Sequence, residues 1–488
     1  MKQALLLEAE QSLDPVNWSQ LNQLGHRMLD DLFYYLETAG KGPVWTKPPQ
    51  EAINSIREPV PQSGTEATDL YELFANHILP YNISNMHPRF WGWVQGGGTP
   101  LGMLADMLAS GMNTNVSMGD NMPMQVDKQV AEWSKQIMGF PDTAGGLLVS
   151  GASIANITAL IAARHYVCAD IKSKGIRAIP EQLVIYGSSE THYCVVKGVE
   201  VIGIGSDHFR KVPVDKDYRI QTDALKRMIV EDREAGLRPF CIVGNAGTVN
   251  TGAIDPLHQL VVIAQEEKLW LHIDGAFGAI PKLLPEFDDE LKAIELADSL
   301  SFDFHKWMSV NYEAGCVLIR NATLHREAFA SAVNYLALHE RGISAGPDGL
   351  QNYGMELSRN FKALKIWMML KAYGLDQFRT IIRQNLRQTR YLATLIEQEP
   401  LLELMAPVPL NIVCYRFNPG NLDRDQLNRL NKELLMQMQE EGIAAPTYTL
   451  LNNQYVIRVA HTNHRSRLKD FDTLVQATLR IGKRLTGS

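Results

Sequence analysis

The sequence has little cysteine, and its cysteines form no motif. Five are scattered along the chain without a CxxC pair: Cys168, Cys194, Cys241, Cys316 and Cys414. An odd number of isolated cysteines is typical of free thiols in a reducing compartment, and clustered metal ligands are missing. We therefore expect a cytoplasmic protein that has no metal site.

Long apolar runs and an excess of positive charge are also missing. No stretch approaches the roughly 18 apolar residues of a membrane span. Only a four-residue apolar run precedes Glu8, which is too short for the core of a signal peptide. The net charge is −7 with both signs mixed along the chain, which argues against nucleic acid or an anionic membrane as a partner.

The composition of the chain is that of an ordinary globular protein. Its length favours more than one domain. It has 488 residues, 45% hydrophobic and 21% charged. Residues 16–38 show the apolar periodicity of an amphipathic helix, and a second helix is predicted near 67–78. Residues 1–85 are too few to fold alone, and we expect them to pack on another surface, such as a partner subunit.

Residues 86–387 alternate between β-rich runs and helical stretches. This alternation predicts an α/β domain with a mainly parallel sheet covered by helices. A glycine-rich loop is predicted at 334–354. The pattern then restarts, with strands at 411–417 and 455–461, and predicts a small C-terminal α/β domain over 388–488. Strands of the large domain are predicted at 182–188, 201–205, 240–247, 270–276, 299–304 and 315–321.

Two polar residues stand where predicted strands end. Asp274 ends the strand in HIDGAFGA, and Lys306 ends the strand in SFDFHKW. Ligands of parallel α/β sheets bind beyond the carboxyl ends of the strands. A desolvated lysine there has a lowered pKa and can attack a carbonyl group. A buried Asp274–Lys306 ion pair without catalysis fits the same spacing.

Three further features are candidates for the same site. A turn at residues 150–153 precedes a helix, which makes either an anion site or an ordinary helix cap. His192 and Thr248 each follow a strand, and either could be structural. Pyridoxal phosphate would explain all of these features, because it needs a lysine, a carboxylate at its ring nitrogen, a phosphate cup and a flat group on its ring.

The order and spacing of eight motifs resemble the group II pyridoxal-phosphate-dependent amino-acid decarboxylases, which act on aromatic amino acids, histidine, glutamate or diaminobutyrate. The resemblance implies the aspartate-aminotransferase fold (fold type I) and a homodimer with active sites at the interface. It also implies an N-terminal segment that wraps over the partner. The motifs are HPRFWGW, GMLADML, SGASIAN, THYCVVKG, GTVNTGAIDPL, HIDGAFGA, ADSLSFDFHKWMSVN and NFKALKIWMMLKAYG.

The resemblance also assigns roles to individual residues. It implies that Lys306 forms the Schiff base, that Asp274 contacts the pyridine nitrogen and that Ala276 packs under the ring. His192 stacks on the opposite face, and Thr248 lies near the ring. The residues implied to hold the phosphate are Ala152, Ser153, Ser299 and His305.

The implied activity is decarboxylation of an L-amino acid to its amine through an external aldimine and a quinonoid intermediate. Tyr353, in the predicted loop, is the candidate proton donor, with His192 or water as alternatives. Without a tyrosine donor, the chain could be an aldehyde synthase, and another carbon–carbon lyase of this fold is also open. A non-catalytic relative would lack Lys306 or Asp274, and a nicotinamide dehydrogenase would need GxGxxG.

Substrate choice stays open at the level of sequence. Trp91 and Trp93 could line a pocket for an aromatic side chain or belong to the core, and Gln95 is a further candidate substrate contact. Asn115 and Ser117 resemble the polar residues of glutamate enzymes. Arg458 could reach a substrate carboxylate or form a structural salt bridge. These residues favour a polar or acidic substrate slightly over an aromatic one.

Overall fold

The computed structural model describes residues 12–331, 340–345 and 348–487. None of its described helices is long and apolar enough to cross a bilayer. The helices are α1 (Trp18–Glu37), α2 (Gln50–Ser55), α3 (Ala67–Leu73), α4 (Pro100–Met112), α5 (Met122–Met138), α6 (Ala152–Val167), α7 (Ile171–Lys174), α8 (Tyr193–Val201), α9 (Thr222–Glu234), α10 (Leu257–Glu267), α11 (Asp288–Leu291), α12 (Ala322–Phe329), α13 (Ala363–Gln398), α14 (Arg424–Glu440) and α15 (Leu468–Thr486). The strands are β1 (Gly145–Val149), β2 (Leu183–Ser188), β3 (Phe209–Val212), β4 (Arg238–Asn245), β5 (Trp270–Asp274), β6 (Ser299–Asp303), β7 (Gly315–Ile319), β8 (Leu402–Leu404), β9 (Ile412–Phe417), β10 (Thr447–Leu451) and β11 (Gln454–Ala460).

The large domain contains a seven-stranded sheet in the order β1-β7-β6-β5-β4-β2-β3. Strands β2 to β6 pair in parallel, and β7 runs antiparallel to both β1 and β6. Every residue of β2, β5 and β6 is buried, as expected where helices cover both faces of a parallel sheet. The predicted α/β class with a mainly parallel sheet is confirmed.

One predicted strand, residues 201–205, is wrong. Helix α8 ends at Val201, and a turn follows it. Gly203 and Gly205 in this turn have φ angles of 83° and 91°, in the left-handed region that a strand cannot use. The β-rich composition of VIGIG gave no sign of this turn. The other five predicted strands of this domain correspond to β2, β4, β5, β6 and β7.

The N-terminal helices pack on each other through polar contacts. Arg27 of α1 pairs with Glu72 of α3 at 2.7 Å, and Tyr71 donates to Asp31 at 2.6 Å. The segment between α1 and α2 reaches the C-terminal part of the chain. There the backbone N–H of Val44 donates to the carbonyl oxygen of Gly442 at 2.9 Å. Contact with a partner subunit stays a prediction.

The C-terminal sheet has four antiparallel strands in the order β10-β11-β9-β8. Helices α14 and α15 cover it with a second apolar core that includes Leu434 and Phe471. The predicted strands at 411–417 and 455–461 correspond to β9 and β11. Helix α13 runs across residues 387 and 388, with non-helical backbone angles at Gly374, so the domain boundary there stays a prediction.

Gly278 lies where the chain after β5 touches the chain after β4. A Cβ at this position would lie 2.8 Å from the carbonyl carbon of Ala246 and 2.9 Å from the Cα of Gly247. Both atoms belong to backbone, which cannot turn away as a flexible side chain can. A glycine is therefore required where the two chain segments that carry Thr248 and Asp274 meet.

We expect Gly278→Ala to lower the free energy of unfolding by about 1–3 kcal/mol, because the added methyl group overpacks this contact. Gly25→Ala in α1 is the matched control, since a Cβ there meets no heavy atom within 4 Å. That control should raise stability by roughly 0.5–1 kcal/mol through helix propensity. Urea denaturation followed by circular dichroism measures both, and equal stability of Gly278→Ala and wild type would contradict the close contact.

Candidate active site

A cavity of about 570 Å³ opens at the carboxyl ends of the parallel strands and is closed on one side by β10 and β11. Strand topology explains its position, because neighbouring parallel strands end at the same edge of the sheet. The structure brings most of the predicted site residues together here. Those that line the cavity are Trp93, Gln95, Ala152, Ser153, His192, Thr248, Asp274, Ala276, His305, Lys306 and Arg458.

Lys306 pairs with a carboxylate that the sequence did not single out. Its Nζ lies 2.9 Å from Oδ2 of Asp303, the last residue of β6. Burial lowers the pKa of Lys306, but the charges of Asp303 and Asp274 outweigh burial and hold this pKa above its ordinary value. The expectations of a lowered pKa and of an Asp274–Lys306 ion pair are therefore wrong for this structure.

Asp274 is a buried carboxylate held by two N–H donors. Its Oδ1 accepts from the backbone N–H of Ala276 at 3.1 Å, and its Oδ2 accepts from Nδ2 of Asn156 at 3.1 Å. Hydrogen bonds to the charged form stabilise an ionised carboxylate. The arrangement fits a cationic ring nitrogen, which would supply the opposite charge.

The N-terminus of α6 offers an anion site. Gly151 caps this helix without a side-chain hydrogen bond, so the first backbone N–H groups, at Ala152 and Ser153, are available. The ring of His305 lies beside Gly151. A Cβ atom added to that glycine would be 3.3 Å from Cε1 of the ring. Its Nδ1 accepts from the N–H of Ala314 at 3.0 Å, which leaves the ring proton on Nε2. The residues present fit a phosphate group.

His192 lines the cavity as a neutral imidazole. Burial lowers the pKa of His192, so its ring carries one proton at neutral pH. Because Nδ1 accepts from the backbone N–H of Cys194 at 3.2 Å, that proton lies on Nε2. A flat neutral ring with one N–H fits the predicted stacking role and can also supply a proton.

Arg458, in β11, is a buried cation that pairs with no carboxylate in the part of the chain that the structure describes. Its Nη1 donates to the carbonyl of Trp93 at 2.7 Å, and its Nε donates to the carbonyl of Asn250 at 3.2 Å. Its Nη2 is buried and has no partner among the described residues. Burial lowers the pKa of Arg458 to about 10, so the side chain stays charged at neutral pH. This geometry supports an anionic ligand rather than a structural salt bridge.

The structure corrects the prediction for Ser299. This residue begins β6, whereas the cavity lies at the other end of that strand. Its hydroxyl is buried against Trp270 and His272, at 2.8 and 2.9 Å, and it cannot hold a phosphate in the cavity. Thr248 does line the cavity, but its hydroxyl is engaged within its own turn by Thr251 at 3.1 Å.

Three other predicted residues lie outside the cavity of their own chain. Asn115 accepts from the backbone N–H of Arg359 at 2.9 Å, and the carbonyl of Ser117 accepts from Leu350 at 2.8 Å. Tyr353 packs edge-on against His325, with ring centroids 5.2 Å apart. Their roles stay predictions that would require a second chain. Residues 334–339 and 346–347 of the predicted loop lie outside the described residues.

Sequence reasoning missed Asp303 and Asn156, the closest partners of the two main charged residues. Each carried a signal in the sequence. Asp303 is a charged residue inside an apolar strand three positions before the lysine, and Asn156 is a polar residue in the apolar helix sequence SIANITALIAA. Polar side chains in such settings are unusual unless a buried partner satisfies them.

Comparisons with known proteins agree with this geometry. Residues 49–418 match the family model described as the pyridoxal-dependent decarboxylase conserved domain. The chain is 33% identical over 460 residues to an aromatic-L-amino-acid decarboxylase of Bacillus atrophaeus, covering 92% of this chain and 93% of the relative. It is 27% identical over 459 residues to a phenylacetaldehyde synthase of Arabidopsis thaliana, covering 92% and 93%.

Solved structures share the fold. A tryptophan decarboxylase of Catharanthus roseus, in complex with L-tryptophan, has a TM-score of 0.87 at 24% identity, covering 97% of this chain and 100% of that one. The Oryza sativa TDC structure with PLP and tryptamine has a TM-score of 0.89 at 21% identity, covering 97% and 100%. At these identities the likeness shows the fold alone.

The chain therefore belongs to the pyridoxal-dependent decarboxylases, in the group II branch that the motifs indicated. Its cofactor is pyridoxal phosphate, and it is a carboxy-lyase that decarboxylates an L-amino acid. These findings confirm the predicted family, fold, cofactor and type of reaction. The residues of the cavity fit the cofactor, since Lys306, Asp274 and the N-terminus of α6 match its aldehyde, ring nitrogen and phosphate.

The Asp303–Lys306 pair predicts how cofactor capture depends on pH. Lysine attacks an aldehyde only as the neutral amine, so the raised pKa of Lys306 makes capture by cofactor-free protein increase into the alkaline range. Asp303→Asn removes the main charge that raises this pKa and keeps the burial that lowers it. We expect the capture profile of this variant to shift to lower pH.

Stopped-flow absorbance with added pyridoxal phosphate, from about pH 7 to about pH 11, measures the shift. Asp303→Glu keeps the charge and is the control. The same pair stabilises cofactor-free wild type below the ordinary lysine pKa, and this contribution is lost as the pH rises through the raised pKa. A profile of Asp303→Asn that coincides with wild type would contradict the assigned ion pair.

Proposed function

We propose that this decarboxylase acts on an aromatic L-amino acid, releases the corresponding amine and works as a homodimer. The choice of substrate rests on the charged residues that line the cavity. Of the cationic residues described there, one is buried and free for a ligand, and it lies next to exposed aromatic rings.

Two cationic residues line the cavity among the described residues, Lys306 and Arg458. Lys306 is paired with Asp303 and is assigned to the cofactor. Arg458 remains for the α-carboxylate that every amino-acid substrate carries. An acidic substrate would bring a second carboxylate, and the described cavity holds no further cation for it.

Two exposed aromatic residues also line the cavity, Trp93 and Tyr448, which are 52% and 58% exposed. The backbone of Trp93 is fixed at both ends, because Thr447 accepts from its N–H at 3.3 Å and Arg458 binds its carbonyl. Aromatic rings presented from a fixed backbone suit a flat apolar substrate side chain.

The names of the relatives support the same class. Besides the Bacillus atrophaeus enzyme, the chain is 27% identical over 466 residues to tyrosine decarboxylase 1 of Narcissus pseudonarcissus, covering 92% of this chain and 90% of the relative. The polar residues that favoured another substrate, Asn115 and Ser117, do not line the cavity of their own chain. We therefore place the aromatic class ahead of the polar or acidic class.

The reaction divides between cofactor and protein. Bound pyridoxal phosphate supplies an electron sink for the electron pair left when the carboxylate departs as carbon dioxide. Asp274 provides the acceptor that keeps a proton on the ring nitrogen. Arg458 orients the substrate carboxylate as it enters, and the surrounding walls limit its contact with water.

Return of a proton to the substrate carbon has two candidate donors. His192 lies in the cavity and carries its proton on Nε2. Tyr353 lies outside the cavity of its own chain and would have to act from a partner subunit. A synthase that releases an aldehyde stays a second candidate, since a relative of that name aligns over most of the chain.

Exposed apolar side chains support the homodimer. Helix α4 exposes Met107, Leu108 and Met112, and α1 exposes Trp18 and Leu21. Apolar surface of this kind is typical of subunit contacts.

We also propose a cytoplasmic location. The five cysteines are free thiols, which supports this location because disulfides are rare in the cytoplasm.

The proposed substrate class predicts that kcat/KM for tyrosine, tryptophan, phenylalanine or DOPA exceeds that for glutamate, histidine, ornithine and diaminobutyrate by at least about tenfold. Carbon dioxide release and amine analysis measure the difference. Lys306→Ala is the inactive control. Arg458→Met should raise KM for the preferred substrate, because the α-carboxylate loses its cation. Faster turnover of glutamate than of all aromatic substrates would contradict the substrate class.

Catalysis across the dimer interface can be tested by subunit complementation. If Tyr353 acts in the partner's site, a Lys306→Ala subunit and a Tyr353→Phe subunit together form one intact site. An equal mixture, refolded or coexpressed, should recover about a quarter of the wild-type rate of amine formation, because half of the dimers are mixed. Recovery no greater than the average of the two variants would contradict catalysis across the interface.

A further inference from the structure

A chain of buried hydrogen bonds leads from the interior of the large sheet to Asp274. Nε1 of Trp270 donates to Oγ of Ser299 at 2.8 Å, and that hydroxyl contacts Nδ1 of His272 at 2.9 Å. Nε2 of His272 contacts Oδ1 of Asn156 at 2.8 Å, and Nδ2 of Asn156 reaches Asp274 at 3.1 Å. All five side chains belong to β5, β6 or α6 and are buried.

The chemistry of these groups fixes the direction of every bond. Indole can only donate, and an amide oxygen can only accept. Burial lowers the pKa of His272 to about 4, so the ring carries a single proton, and this proton must lie on Nε2 facing Asn156. Nδ1 then accepts from Ser299. Every proton of the chain therefore points towards Asp274.

The amide of Asn156 is the connection that matters. Its oxygen accepts from His272 and also from the hydroxyl of Ser301. Two donors at this oxygen keep the amide from turning over, which would place its oxygen against the carboxylate of Asp274. Apolar side chains could fill the same volume without desolvating these polar groups, so sheet stability alone gives no reason for the chain.

We propose that His272 is a positioning residue that acts through Asn156 to hold the carboxylate of Asp274 as a hydrogen-bond acceptor at the cavity. This is the state that a protonated ring nitrogen of the cofactor requires. The inference rests on the family and its cofactor rather than on the aromatic substrate. Its test uses no substrate, so failure of either proposal can be told apart.

The experiment compares His272→Phe with His272→Gln in holoenzyme loaded with pyridoxal phosphate labelled with ¹⁵N in its ring. The ¹⁵N chemical shift reports whether the ring nitrogen is protonated. Wild type and His272→Gln, whose amide N–H can still donate to Asn156, should show the protonated shift. His272→Phe should move towards the unprotonated shift, and its Kd for the cofactor should rise about fivefold or more.

His325→Phe is the control for loss of a buried histidine, because His325 bonds the carbonyl of Tyr353 and does not line the cavity. It should keep the wild-type ¹⁵N shift and a Kd within about twofold. Ser299→Ala, a smaller change, should move both readouts in the direction of His272→Phe, and it decides the question if the His272 variants do not fold. A wild-type ¹⁵N shift and a wild-type Kd for the cofactor in His272→Phe would overturn the proposal. If the His272 variants do not fold, the same result in Ser299→Ala would overturn it.

Discussion

The carboxylate of Asp274 is the charge on which the site depends. A buried carboxylate is expensive unless hydrogen bonds and an opposite charge compensate it. The protein supplies two N–H donors to Asp274, and the cofactor's ring nitrogen supplies the charge. Around it, the pair Asp303–Lys306 and Arg458, whose Nη2 has no partner among the described residues, complete a cavity whose charges are arranged for a ligand with both signs.

The parallel sheet brings these charges together. Strands β4, β5 and β6 are neighbours, with Asn245 paired to Asp274 and Asp274 paired to Ser301. The residues that follow each strand therefore emerge at one edge. The close contact at Gly278 holds the chain after β5 against the chain after β4, and the C-terminal sheet closes the cavity with Arg458. The geometry of the site thus follows from sheet register more than from any single loop.

Much of this site could be predicted from the sequence, because strand-end positions can be read from apolar patterns. Asp274 and Lys306 were predicted at strand ends and His192 after a strand, and all three line the cavity with Ala152 and Ser153 of the predicted turn. Asp303 carried a signal as a charged residue in an apolar strand, but its pairing with Lys306 depends on how the turn after β6 folds back, which the sequence pattern does not show. The pKa of Lys306 is therefore raised, whereas burial alone predicted that it would be lowered.

Other errors have equally physical causes. Ser299 belongs to a motif of the family, but its hydroxyl points into the sheet interior, and a motif carries no information on side-chain direction. Asn115, Ser117 and Tyr353 cannot be placed from one chain if the cavity is shared between two. The strand predicted at 201–205 was wrong because composition does not reveal positive φ angles at glycine.

The central claim is that one lysine, Lys306, holds pyridoxal phosphate covalently in the cavity beside Asp274. Reduction of the holoenzyme with borohydride, followed by peptide mass spectrometry, tests it directly. The account predicts a reduced pyridoxyl group on Lys306 and on no other residue. An unmodified Lys306, or a modification confined to another lysine, would contradict it.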